Sequence, residues 1–347
     1  MRIALLTYST RPRGGVVHTL ALAEALAALG QDVTVWTLAR GGGFFRPVDA
    51  RVRLSAVPFD EVPGEDVGDR ILRSIAVLRS SFDGASYDIV HAQDCISANA
   101  AGRCIRTIHH LDTFTTPALA ECHERAIVSP YAHLCVSAAV AAEVRAGWDI
   151  SPAVIPNGVD AARFAAAAPH PGRYVLAVGG IEPRKGSLDL LRAFALLAED
   201  DPDVRLVIAG GETLFDYRAY RAEFDELAAS LGVRPEILGP VPHDELPGWV
   251  AGAAAFAFPS TKEGFGLAAM EALAAGVPVV VRDLPVLREV FGPTVLYGTD
   301  PASLADSLRT GIAKPGPARA AAGRTLAFSH TWAEAARRHL AFYESLG

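Results

Sequence analysis

Lysine is nearly absent from this 347-residue chain: only Lys185, Lys262 and Lys314 stand among 32 basic residues. The other basic residues are arginine, and with heavy alanine usage they point to a GC-rich coding sequence, which concerns codons and not chemistry. Positive charge is not in surplus either. A formal net charge of −7 argues against nucleic acid as the main partner. Cysteine is scarce, and Cys95, Cys104, Cys122 and Cys135 form no C-x-x-C pair. They read as reduced thiols of a cytoplasmic protein. The longest apolar stretches break well before the ~20 residues of a membrane span. Met1-Arg2-Ile3-Ala4-Leu5-Leu6-Thr7 passes straight into a strand, so no secretory signal is expected. There is no G-x-G-x-x-G after the first strand, which argues against a dinucleotide dehydrogenase, and no G-x-S-x-G elbow to support acyl transfer. Internal repeats and low-complexity linkers are lacking too.

What is present is an alternation. Half the residues are apolar, in β-like runs that alternate with Ala/Leu-rich helices, so the expected class is α/β with parallel sheets. The length suits two domains. In the first half, strands are expected at about 2–7, 32–37, 88–91, 103–108, 132–136 and 153–155. Gly14-Gly15 stand just ahead of a helix that runs to about Leu29, a plausible phosphate contact. Gly41-Gly42-Gly43 and Pro58–Gly68 read as mobile loops. In the second half, Val175–Val178, Val204–Ala209, Ile237-Leu238, Ala253–Phe258 and Val277–Val281 are the strand-like runs. Thr331–Tyr343 is an amphipathic helix. Arg70, Arg73 and Arg79 interleave with Ile71, Leu72, Ile75, Val77, Leu78 and Phe82, the pattern of an ordinary amphipathic core helix rather than a membrane-surface one.

The densest signal is Pro259-Ser260-Thr261-Lys262-Glu263-Gly264-Phe265-Gly266-Leu267-Ala268-Ala269-Met270-Glu271. It lies between two strands, so its loop and helix start sit at the carboxyl edge of a parallel sheet, where open α/β sheets bind ligands. Gly264 and Gly266 let the backbone approach a ligand, and free amides at the helix start favour an anion. The glutamates are eight residues apart, about 12 Å along the axis if both were helical. A retaining glycosidase pair needs about 5–5.5 Å. Two acids gripping different parts of one long polar ligand fit better than a dyad on one bond.

This E-x7-E run with EGFGL and the following EALAAGVPVV resembles the donor-site signature of retaining glycosyltransferases of family 4. So do Ile155-Pro156-Asn157-Gly158-Val159-Asp160 with Arg163-Phe164, and Val175–Val178 leading into Gly179-Gly180-Ile181-Glu182-Pro183-Arg184-Lys185-Gly186. The resemblance covers nearly the whole chain. It implies the GT-B architecture, two facing Rossmann-like domains with a nucleotide sugar in the cleft. The division expected is an acceptor-side domain of 1–167 joined by a returning C-terminal helix at 329–347, and a donor domain of 168–328. By the same resemblance Glu263 contacts the transferred sugar and Glu271 the ribose. Gly264, Phe265, Gly266, Leu267 and Gly15 belong to the donor site, and His109 points at the reacting sugar. Many members carry Arg where this chain has Gly180; Arg184 beside Lys185 is read as supplying the missing charge on the diphosphate. Gly210-Gly211-Glu212 and Ile237–Pro242 look like the nucleoside-side loops.

The activity implied is transfer of a sugar, with retention, from a UDP-sugar or alternatively a GDP-sugar to an acceptor hydroxyl on a small molecule, glycan or lipid. No cofactor and no metal are expected. Adjacent His109 and His110 would face opposite ways on a strand, and no ligand-spaced Cys or carboxylate accompanies them. His91 ends another strand without a motif, and Ser137 reads as a helix cap. Asp201-Pro202-Asp203 imitates a metal-binding D-x-D, but it sits between a helix and a strand and reads as a turn. The rival readings are an epimerase or hydrolase on the same scaffold, or a non-catalytic nucleotide-sugar-binding protein.

Overall fold

A computed structural model describes all residues except 40–41, 113–115, 211–216, 315 and 347. Gly41 of the expected glycine loop, and Gly211 and Glu212 of the expected nucleoside-side loop, lie outside the described residues. The chain divides into two compact units, Met1–Gly158 with Trp332–Gly347, and Val159–Thr331. The expected switch at 167/168 falls just past the short helix Ala161–Ala165, which is part of the second unit.

The first unit is built on seven strands: β1 (Arg2–Leu6), β2 (Asp32–Ala39), β3 (Arg53–Pro58), β4 (Ile89–Ala92), β5 (Ile105–Ile108), β6 (Ala132–Cys135) and β7 (Ala153–Val154). Every pairing is parallel, in the order β3-β2-β1-β4-β5-β6-β7. Side chains alternate across a strand, and both faces of β1 are buried. Ile3 and Leu5 pack on one side with Leu20, Leu22, Val33 and Val35, while Ala4 and Leu6 pack on the other with Leu38, Leu78 and Val90. A near-continuous apolar run is what a strand covered by helices on both faces requires. The helix Val67–Ser81 buries Ile71, Ile75 and Leu78, the core-facing stripe expected of that segment. The C-terminal helix Trp332–Glu344 sends Ala336 and Tyr343 into the first unit's core.

The sequence pattern does not announce β3. Its Leu54 is 48% exposed and it lies at the sheet edge. It is fixed by in-register pairing to β2, from Thr34↔Arg53 to Ala39↔Pro58, and a proline is tolerated only at such an edge. The loop expected at Pro58–Gly68 shrinks accordingly, because Pro58 closes β3 and Val67 opens the next helix.

The second unit has six parallel strands: β8 (Tyr174–Val178), β9 (Arg205–Ala209), β10 (Glu236–Gly239), β11 (Ala255–Phe258), β12 (Val279–Arg282) and β13 (Leu296–Gly298). Their order, β10-β9-β8-β11-β12-β13, is the doubly wound arrangement of mononucleotide-binding folds. Val175, Leu206, Ile208, Ala255 and Val280 pack against Leu190, Leu191, Phe194 and Leu197 of the helix Ser187–Asp200 and Leu304 and Leu308 of the helix Pro301–Ala313. The edge strand β13 is three residues long and too short to leave a pattern in the sequence. Asp201 to Asp203 form the turn before β9, with Asp201 paired to Arg173. Among the described residues no helix is long and apolar enough to cross a membrane, and the four cysteines are free thiols.

Candidate active site

In an open parallel sheet a crevice forms where the strand order reverses, because the loops leaving the two central strands run in opposite directions. In the second unit that point lies between β8 and β11. The loop after β8 carries Gly179 to Gly186, and the loop after β11 carries Pro259 to Gly266. They are fastened together, with Thr261 N donating to Arg184 O at 2.8 Å. Gly186 has φ +66°, and a Cβ there would stand 2.2 Å from Pro259 O, so only glycine permits this contact.

The reversal gathers charge. Glu263 Oε1 accepts from Lys185 Nζ at 2.6 Å and from Arg184 Nη1 at 3.1 Å. The second Arg184 nitrogen donates to Glu182 Oε1 at 3.0 Å. The Glu263 side chain is 10% exposed, and the Lys185 ammonium stands 5.0 Å over the Phe258 ring. Arg184 and Lys185 thus converge on one carboxylate. Gly180 on the same loop supplies no side chain.

Gly264 and Phe265 are buried, with the Phe265 ring 5.8 Å from that of His330. Gly266, at φ +94°, ends the loop and stands at the N-cap of the helix Leu267–Ala275, with no side-chain bond capping it. The first amides of that helix therefore have no intrahelical acceptor. Glu271 lies on its second turn, against the helix Ala161–Ala165. Burial pushes its carboxyl up to about 7; Arg163 pulls it down and Asp160 pushes it further up. Part of its side chain still reaches solvent. The two glutamates have different surroundings: Glu263 is clamped by cations, while Glu271 is enclosed and poised near neutrality.

In the first unit the order reverses between β1 and β4. Gly14 and Gly15 open the helix Gly14–Ala28 as its first two residues, one step further in than expected, and no side-chain bond from Arg13 at the N-cap caps it. A Cβ on Gly15 would meet only the His109 ring, at 3.8 Å. His109 follows β5; its Nε2 lies 3.2 Å from Gln93 Oε1, and its ring is edge-on to that of His18 at 4.8 Å. Burial first, then the nearby Arg106 cation and His110, hold His109 well below the usual imidazole range, so it is neutral. His110 turns elsewhere, with Nε2 3.2 Å from Asp112 Oδ1. His91 is fully buried with both nitrogens engaged, Nδ1 to Tyr343 Oη at 2.8 Å and Nε2 to Thr107 Oγ1 at 2.7 Å. It is a satisfied core histidine. Ser137 caps the helix Ala138–Trp148 by accepting from Val140 N. No group of three or more His, Cys, Asp or Glu among the described residues is arranged to hold a metal ion.

Three positions escape the sequence reading. Arg282, at the end of β12, donates to Pro259 O (2.9 Å), Thr299 O (2.9 Å) and Asp189 Oδ2 (2.6 Å), bracing the loop that carries Glu263. A lone arginine after an apolar strand is the only trace it leaves. Glu182 stands inside the Gly179–Gly186 loop, yet its hold on Arg184 depends on loop geometry. Gln93 has no motif at all.

Two Rossmann-like units in one chain, one with a charged cluster at its strand reversal, fit the GT-B class of glycosyltransferases, enzymes acting on nucleotide sugars. Residues 159–325 match the family described as Glycosyl transferases group 1, and residues 12–163 match Glycosyltransferase Family 4. The chain is 30% identical to the phosphatidyl-myo-inositol mannosyltransferase of Mycolicibacterium smegmatis, over 84% of this chain and 78% of that one. It is 35% identical to D-inositol 3-phosphate glycosyltransferase 1 of Catenulispora acidiphila, a match spanning 55% of this chain and only 48% of that one. Among solved structures, a sucrose-phosphate synthase from Thermosynechococcus elongatus superposes with a TM-score of 0.81 at 20% identity, covering 99% and 98% of the two chains. The chain belongs to glycosyltransferase family 4.

Proposed function

We propose that this glycosyltransferase moves a hexosyl group from a UDP-sugar to an acceptor hydroxyl with retention of configuration and without a metal ion. The observation that carries the reading is the convergence of Arg184 and Lys185 on Glu263 at the reversal of the second sheet. In the reaction the bond between the anomeric carbon and the diphosphate oxygen breaks, and negative charge grows on the leaving group. Arg184, Lys185 and the uncapped amides of the helix Leu267–Ala275 meet that charge; preorganised donors aimed at developing charge are the largest single catalytic device of such sites. Glu263 holds the transferred sugar and Glu271 the ribose. The acceptor oxygen bonds to the anomeric carbon from the face the diphosphate leaves, and its proton passes to the departing phosphate. Gly15 offers a backbone amide to the diphosphate, and neutral His109 hydrogen-bonds the sugar.

The names of the relatives supply the first acceptors to try, an inositol phosphate and its lipid form. The test is nucleotide release from UDP- and GDP-linked hexoses with each acceptor, with product configuration read by NMR. Release of UDP with an α-linked product from an α-donor is expected. Inversion, or release that needs a divalent metal, contradicts the reading.

A further inference from the structure

Gln93 is 2% exposed and sits at the strand reversal of the first sheet, immediately after β4. Its backbone is fixed, with N donating to Leu6 O at 3.0 Å. Its side-chain oxygen lies 3.2 Å from His109 Nε2, while its buried amide nitrogen has no hydrogen-bond partner. A buried amide with unpaired donors costs stability, and methionine or leucine would fill the same space without that cost. Residues that break a packing rule concentrate where function compensates for the loss. The Gln93 oxygen is an acceptor only, so it selects the His109 tautomer that carries its proton on Nε2. That tautomer leaves Nδ1 as the ring's acceptor. His18 meets the ring edge-on and Gly15 lies against it without a side chain, so among the described residues Gln93 is the side chain within hydrogen-bond distance that can orient the ring.

We propose that Gln93 is a positioning residue for glycosyl transfer, fixing the tautomer and plane of His109. The inference rests on the reading above that His109 works on the transferred sugar. A residue kept only for packing predicts a loss of melting temperature on Gln93→Met. A positioning residue predicts the reverse split: melting temperature equal or higher, with kcat down by about tenfold, the lower end of what outer hydrogen-bond partners contribute to metal-bound histidines.

The experiment is ¹⁵N NMR of histidine-labelled wild type and Gln93→Met, with the His109 signals assigned by their loss in His109→Ala, alongside melting curves and steady-state kinetics with a nucleotide sugar. The expected result is an Nε2–H tautomer in wild type that gives way to a mixture in Gln93→Met, with the drop in kcat and KM little changed. His109 shifts unchanged by Gln93→Met overturn the proposal and leave the role of His109 standing. Full turnover by His109→Ala removes that role, and the proposal with it. Gln93→Glu keeps an acceptor at the same reach, so Nε2 keeps its proton whether the ring is neutral or charged; loss of the Nε2 proton there also contradicts the proposal.

Discussion

Replacing Glu263 by glutamine separates two things the carboxylate does. Without donor, it neutralises the cations proposed to meet the diphosphate, through bonds of 2.6 and 3.1 Å. Hydrogen bonds between charged groups contribute about 1.5–3 kcal/mol net. Lys185 and Arg184 remain 20% and 27% exposed, and glutamine keeps a neutral acceptor, so screening reduces the released energy to about 1 kcal/mol. Free UDP, which carries no sugar for residue 263 to hold, then binds Glu263→Gln about fivefold more tightly than wild type, since about 1.4 kcal/mol is a factor of ten. The same change removes a charged acceptor from the sugar, so turnover with the nucleotide sugar falls. Calorimetric titration of both proteins with UDP at fixed salt reads the first effect, and nucleotide release reads the second. UDP affinity that is unchanged or weaker in Glu263→Gln refutes the claim that this carboxylate competes with the diphosphate for the two cations.

Two further outcomes concern pH. The folded-state pKa of Glu271 is raised to about 7 from an ordinary 4.5, so its contribution to stability is fully present below about 4.5 and is lost as pH rises through 7. Glu271→Gln therefore raises the melting temperature at pH 8 and leaves it unchanged at pH 4; equal shifts at both pH values contradict this. In the first unit burial depresses His18, His91 and His109 well below the usual range and His339 to about 4. Their contribution is complete above the unfolded value near 6.5 and is lost as pH falls toward 4. Calorimetry should show a falling transition between pH 6.5 and 4.5, and a flat profile contradicts the burial of these rings.

The fold was legible because its strands are buried on both faces. Runs such as Ile3–Leu6 and Ala255–Phe258 advertise parallel sheets, and the glycine turns after β8 and β11 mark where the chain must bend. Edge strands β3 and β13 were not legible, since one exposes its leucine and the other is three residues long. In the site, Arg184, Lys185 and Glu263 could be named from motifs, and the structure brings the three together. The residues that brace or aim them could not. Arg282 reaches Pro259 and Asp189 across 23 and 93 residues of sequence, and Gln93 meets His109 only because β4 and β5 are neighbours in the sheet. Local pattern carries no information on such distant meetings.

The central claim is that the cation cluster of the second unit binds a nucleoside diphosphate. Titrating the protein with UDP, GDP and ADP by calorimetry, and repeating the best binder with Lys185→Ala, tests it most directly. One preferred nucleotide, UDP, is expected, with binding weakened at least tenfold when the ammonium is removed, the scale of a charged hydrogen bond. No binding to any of the three, or binding that Lys185→Ala leaves intact, would contradict it.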